Sequence, residues 1–91
     1  MNNLQMLREE VTELDKKIVQ ILNKRGELVQ KIGIEKNKLK LKICDLKREK
    51  ELLAELKLSN EGPYSPHMIE EVFGNIFKCS KELQIKRGTT Y

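Results

Sequence analysis

Arg25 and Lys36 lie eleven residues apart in a segment whose shared face is otherwise apolar. On a helix advancing about 100° per residue, the two cations project within about 20° of each other. Leu4, Leu7, Val11, Leu14, Ile18, Ile21, Leu22, Leu28, Val29, Ile32 and Leu39 lie within about 60° of the same direction. Burying an unpaired cation costs several kcal/mol, so these two need an anion or an escape to water. A ligand, acids on a neighbouring helix, or snorkelling at the rim of a core would each serve, and the helical wheel leaves all three open. Arg8 projects about 100° away from the stripe and taken alone reads as a solvated surface residue.

Two further groups break apolar faces. Asp45, Arg48 and Glu49 have the i, i+3, i+4 spacing that gathers side chains on one helical face, which they share with Leu52 and Leu56. Ser80 and Gln84 sit one turn apart inside an apolar sector formed by Ile69, Val72, Phe73, Ile76, Phe77 and Leu83. A surface ion pair and a satisfied core pair are the simplest readings of each group alone. Together, three cations (Arg25, Lys36, Arg48), a carboxylate (Glu49) and two neutral hydrogen-bonding groups suit a small ligand bearing more than one carboxylate and a hydroxyl. The set does not suit a metal. No Ser-His-Asp or Cys-His arrangement and no Gly-rich phosphate loop is present, and the sole histidine, His67, reads as a surface or packing residue. Cys44 and Cys79 stand apart without a CxxC and read as reduced packing residues.

The elements that must position these residues are helical. Charged residues make up 35% of the 91 and aromatics 4%, with few Gly and Pro, a composition suited to long helices in one domain. The pattern predicts an all-α chain with helices over about 3–39, 45–58 and 65–86. Asp45 is placed as an N-cap or first-turn acid, and Ser65-Pro66 as an N-cap followed by Pro at the first helical position. A first helix of about 36 residues is roughly 54 Å long, more than twice a radius of gyration of about 12–13 Å for a compact domain. Much of its stripe therefore cannot be covered by the chain's own two shorter helices, and a second copy is the simplest cover. The net charge of +4 favours an anionic ligand. No apolar run reaches a membrane span and no signal-peptide pattern opens the chain, so the expectation is a cytoplasmic protein.

From Leu7-Arg8-Glu9 through Leu14-Asp15, Arg25, Lys36, Asp45-Leu46-Lys47-Arg48-Glu49, and on to Ser80 and Gln84, the sequence resembles the all-helical (AroQ-type) chorismate mutases. The resemblance implies an intertwined homodimer of three-helix chains with two active sites. It assigns substrate binding to Arg25, Asp45, Arg48 and Ser80 with Arg8 from the second chain, and catalysis to Lys36, Gln84 and Glu49. The implied reaction is the Claisen rearrangement of chorismate to prephenate, which needs no cofactor or metal. Asn60-Glu61-Gly62-Pro63, Ile76-Phe77-Lys78 and Glu82-Leu83-Gln84 are most similar to mutase domains fused to DAHP synthase, which points to that enzyme as a candidate partner or fusion. The chain departs from many relatives in its Lys-rich linker, residues 37–44, and in Asp45-Leu46 where they have Asp-Pro. Alternatives from the same residues are an isochorismate-pyruvate lyase, a regulatory module that binds chorismate or prephenate, and a basic helical dimer on nucleic acid. Acids interleaved through all three helices and scarce aromatics disfavour the last.

Overall fold

A computed structural model describes residues 2–88, with side-chain surroundings up to residue 85. It holds three helices: α1, Asn3–Lys38; α2, Leu46–Ser59; and α3, Pro66–Gly88. Each start is set by a short polar side chain. Asn2 Oδ1 accepts from the Gln5 amide at 2.7 Å, Asp45 Oδ1 from Arg48 at 3.0 Å and Ser65 Oγ from Met68 at 3.1 Å. The C-terminus of α1 closes in a Schellman turn, with Leu41 N–H on the Lys36 carbonyl at 2.8 Å and Lys40 N–H on Asn37 at 3.2 Å. Lys40 takes the left-handed conformation there, at φ 57°, where glycine is the usual occupant.

α3 packs on both other helices, whereas α1 and α2 do not approach each other directly. The α1–α3 seam is close because two glycines lie two turns apart on α1. A Cβ at Gly33 would stand 2.9 Å from both Cα and the carbonyl oxygen of Gln84, and one at Gly26 would stand 3.2 Å from Leu83 Cδ1. Val29 and Phe77 are the buried apolar residues between them, flanked by buried Ser80 and Gln84. Lys57 pairs with Glu70 to tie α2 to α3. That hydrogen bond is the main reason the Glu70 carboxyl is held below its ordinary value of 4.5.

Among the described residues, nothing in this chain covers the N-terminal half of α1. Residues 3–24 are exposed throughout, including Leu7, Val11, Leu14 and Ile18 at half or more of their surface. The chain measures 56 × 28 × 15 Å with a radius of gyration of 16.5 Å, well above the roughly 12 Å of a compact domain this size. Cys44 and Cys79, expected as packing residues, are instead free and exposed in the single chain. Cys44 lies in the loop before α2, where it interacts with Lys81, and Cys79 lines a shallow hollow between α1 and α3. His67 is exposed and lies 3.0 Å from Glu71, one turn along α3. Among the described residues no helix is long and apolar enough to cross a membrane.

Candidate active site

Because α3 bridges two helices whose backbones stand apart, a cleft remains between α1 and α2 with α3 as its floor. The cavity is ≈ 410 Å³. Arg25, Lys36, Val29 and Ile32 line it from α1, Asp45, Arg48, Glu49 and Leu52 from the start of α2, and Phe77, Ser80, Lys81 and Gln84 from α3. Seven of the eight residues singled out in the sequence thus meet in one cavity. The eighth, Arg8, is exposed on the uncovered part of α1, seventeen residues or about 25 Å along the helix from Arg25.

Arg25 is aimed by two contacts. Its Nη1 donates to Ser80 Oγ at 2.6 Å, and its guanidinium lies over the Phe77 ring, 5.9 Å from the centroid. Ser80 Oγ in turn donates to the Ile76 carbonyl at 2.7 Å, so the hydroxyl is committed and its lone pair faces the arginine. Arg25 retains further N–H donors for an anion, and the planar fork suits a carboxylate. Lys36 Nζ donates to the Ile43 carbonyl at 2.9 Å, and two N–H groups remain. This bond holds the Lys-rich linker against the end of α1 and so places Asp45, the cap of α2, at the cavity edge. The Asp45 cap fixes the first turn of α2, from which Arg48 and Glu49 project on one face.

Gln84 is the most telling residue. It is 8% exposed, and its Oε1 is buried with no hydrogen-bond partner among the described residues. Leaving a buried amide end unsatisfied costs about 1–3 kcal/mol. A half-turn of the amide exchanges donor and acceptor, so a polar ligand atom of either kind can complete it.

Lys81 was not singled out in the sequence, yet it lines the cavity and its Nζ lies 3.1 Å from Glu49 Oε2. Hydrogen bonding to Glu49 is the main reason its pKa is raised above the usual 10.5. The signal was available: Phe77, Ser80, Lys81 and Gln84 form an i, i+3, i+4, i+7 stripe. With Lys81 the cavity holds four cations against two carboxylates, a surplus of two positive charges. An apolar-walled cleft with that surplus and an unsatisfied amide is built for a small dianion, held by directed hydrogen bonds.

Similarity to known proteins agrees with this geometry. The family model for chorismate mutase type II matches residues 7–85. A bifunctional chorismate mutase/prephenate dehydratase of Aquifex aeolicus (strain VF5) is 31% identical over 78 residues, 86% of this chain and 22% of that protein. Its counterpart in Buchnera aphidicola subsp. Schizaphis graminum is 46% identical over 61 residues, 67% of this chain and 15% of that protein. The chain therefore spans about a fifth or less of these curated relatives. They join the mutase to a prephenate dehydratase and not to DAHP synthase, so the expected nearness to synthase-fused domains is not supported. A solved chorismate mutase (Form II) from Thermus thermophilus superposes with a TM-score of 0.92 at 39% identity, covering 97% of this chain and 100% of that one. Form I from the same organism gives 0.83 at 42% identity, covering 87% and 99%. The match spans all three helices and hence every wall of the cleft, and the chain belongs to the chorismate mutase type II family.

Proposed function

We propose that this chain is a cytoplasmic chorismate mutase that rearranges chorismate to prephenate without a cofactor, working as an intertwined homodimer. The observation that carries the reading is the single cleft in which Arg25, Lys36, Arg48, Glu49, Ser80 and the unsatisfied Gln84 amide converge. A unimolecular rearrangement asks for no nucleophile, only for a substrate held in its reactive diaxial chair and for donors where charge develops.

In this reading Arg25, fixed by Ser80 and Phe77, and Arg48 bind the two carboxylates, joined by Arg8 of the second copy. The free N–H groups of Lys36 and the Gln84 amide donate to the ether oxygen as its bond to the ring breaks. Glu49 accepts the ring hydroxyl, and Asp45 orders the turn that carries Arg48 and Glu49. An acceleration of about six orders corresponds to roughly 8 kcal/mol, which two donors at a few kcal/mol each plus conformational restraint can supply. The uncovered apolar stripe of α1 supports the homodimer: a second long helix laid along it buries Leu7, Val11, Leu14 and Ile18 and brings Arg8 to the partner's cleft.

The test is incubation of the purified chain with chorismate and, separately, isochorismate, with product analysis. Prephenate formation that falls sharply in Arg25→Ala supports the reading. Pyruvate release from isochorismate without prephenate formation would replace it with a lyase. Binding of chorismate without turnover would leave a binding module.

A further inference from the structure

Lys81 differs from the surface-paired Lys16 and Lys38 and, unlike Lys57, whose pair with Glu70 also joins α2 to α3, it lines the cleft. Lys16–Glu13 and Lys38–Glu35 join residues three apart on one helix, with about two-thirds of each side chain exposed. Such pairs contribute little beyond solvation. Lys81–Glu49 instead joins α3 to α2 at 3.1 Å, with 32% and 27% of the side chains exposed, and both residues line the cleft. Glu49 shares that cleft with Arg25, Lys36 and Arg48. A carboxylate free to swing among three cations would neutralise those a dianionic ligand needs. A carboxylate tied by one oxygen to a fourth cation cannot, and its other oxygen stays available as an acceptor.

We propose that Lys81 is a positioning residue for Glu49: by holding Oε2 it presents Oε1 to the hydroxyl of the bound ligand and keeps Glu49 from quenching the carboxylate-binding cations. This inference rests on the reading of the cleft as a chorismate site. Lys81 acts through Glu49 and is not assigned a contact with the reacting atoms. It also brings the surplus of positive charge in the cleft to two, matching a dicarboxylate.

The experiment is steady-state kinetics on chorismate for wild type, Lys81→Met, Lys81→Arg, Glu49→Gln and the Lys81→Met/Glu49→Gln double variant, with folding checked by circular dichroism. Loss of an oriented, charge-assisted acceptor predicts a KM rise of about 10-fold in Lys81→Met with a smaller change in kcat. Lys81→Arg restores KM to within a few-fold, because a cation of similar reach still holds Oε2. The double variant behaves like Glu49→Gln alone, since Lys81 has nothing left to position. Should Lys81→Met fail to fold, Lys81→Gln carries the same comparison. Independent, multiplying effects in the double variant, or wild-type kinetics in Lys81→Met with only a lowered melting temperature, would overturn the inference while leaving the mutase reading intact. A folded wild type that leaves chorismate unchanged overturns the mutase reading and this inference with it.

Discussion

Replacing Gly33 with alanine sets helix propensity against packing at a place where the backbones of α1 and α3 come close. The added Cβ would lie 2.9 Å from Gln84 Cα and from its carbonyl oxygen, and both are backbone atoms that no rotamer change can move. Restoring ordinary contact requires α3 to back away from α1 by about half an ångström or more. Overpacking of this kind costs about 1–3 kcal/mol, against a gain of about 1 kcal/mol from replacing a mid-helix glycine. The net loss is about 0–2 kcal/mol, at most roughly 8–16 °C in melting temperature at fixed protein concentration. Activity suffers more, because the residue displaced is Gln84 itself, and a misplacement of about 1 Å in a catalytic group can reduce the rate 10²-fold. Two controls grade the effect. Gly26→Ala meets only the end of the Leu83 side chain at 3.2 Å, and Gly74→Ala meets nothing within 4 Å. Gly74→Ala therefore gains about 1 kcal/mol, Gly26→Ala stays near neutral, and both keep their activity. The assay is thermal melting beside kcat/KM on chorismate. A Gly33→Ala protein as stable as Gly74→Ala and fully active would refute the close-approach argument.

Other expectations follow from the same contacts. Wild-type activity persists across neutral pH because a neutral amide donates at any pH, whereas Gln84→Glu loses activity as pH rises and its carboxyl ionises; a sharp wild-type loss between about pH 6 and 8 contradicts the role of Gln84. Lys40→Gly relieves a left-handed lysine and stabilises the chain by about 0.5–1 kcal/mol, read as a raised urea midpoint with an unchanged m-value. The folded-state pKa of Glu70 is lowered, so its pairing with Lys57 contributes stability that is present above 4.5 and is lost as pH falls from there through the lowered value. Melting temperature should therefore drop across that acid window, and Lys57→Met should flatten the drop.

What the sequence disclosed depended on which residues violate a pattern. Arg25, Lys36, Ser80 and Gln84 are polar groups on apolar faces, and burial of any of them demands a partner. That demand is legible from a helical wheel, and α3 brings all four to one cleft. Asp45 was legible as a cap because a short acid before a helical run has few other uses. Lys81 shares a stripe with Phe77, Ser80 and Gln84, yet a lysine can snorkel from such a face to water, so its role shows only when a carboxylate on another helix is found beside it. Gly26 and Gly33 gave no signal either, since a glycine that admits a neighbouring backbone looks like any other until that neighbour is placed. The hold of Lys36 on Ile43 likewise depends on how the linker turns back. Arg8 is the opposite case. Neither the wheel nor the single chain gives it work; its place in a second chain's site comes from the family resemblance, and the exposed stripe on either side of it supports that by leaving this stretch of α1 to be covered.

The most direct test of a cleft completed by a second chain is complementation between Arg8→Ala and Arg25→Ala. Each variant alone should be nearly inactive on chorismate. After subunit exchange at equal concentrations, half the dimers are mixed, and each mixed dimer holds one site that draws Arg25 and Arg8 from intact positions, so about a quarter of wild-type activity returns. No recovery despite demonstrated exchange would place Arg8 outside the partner's site and contradict the shared active site.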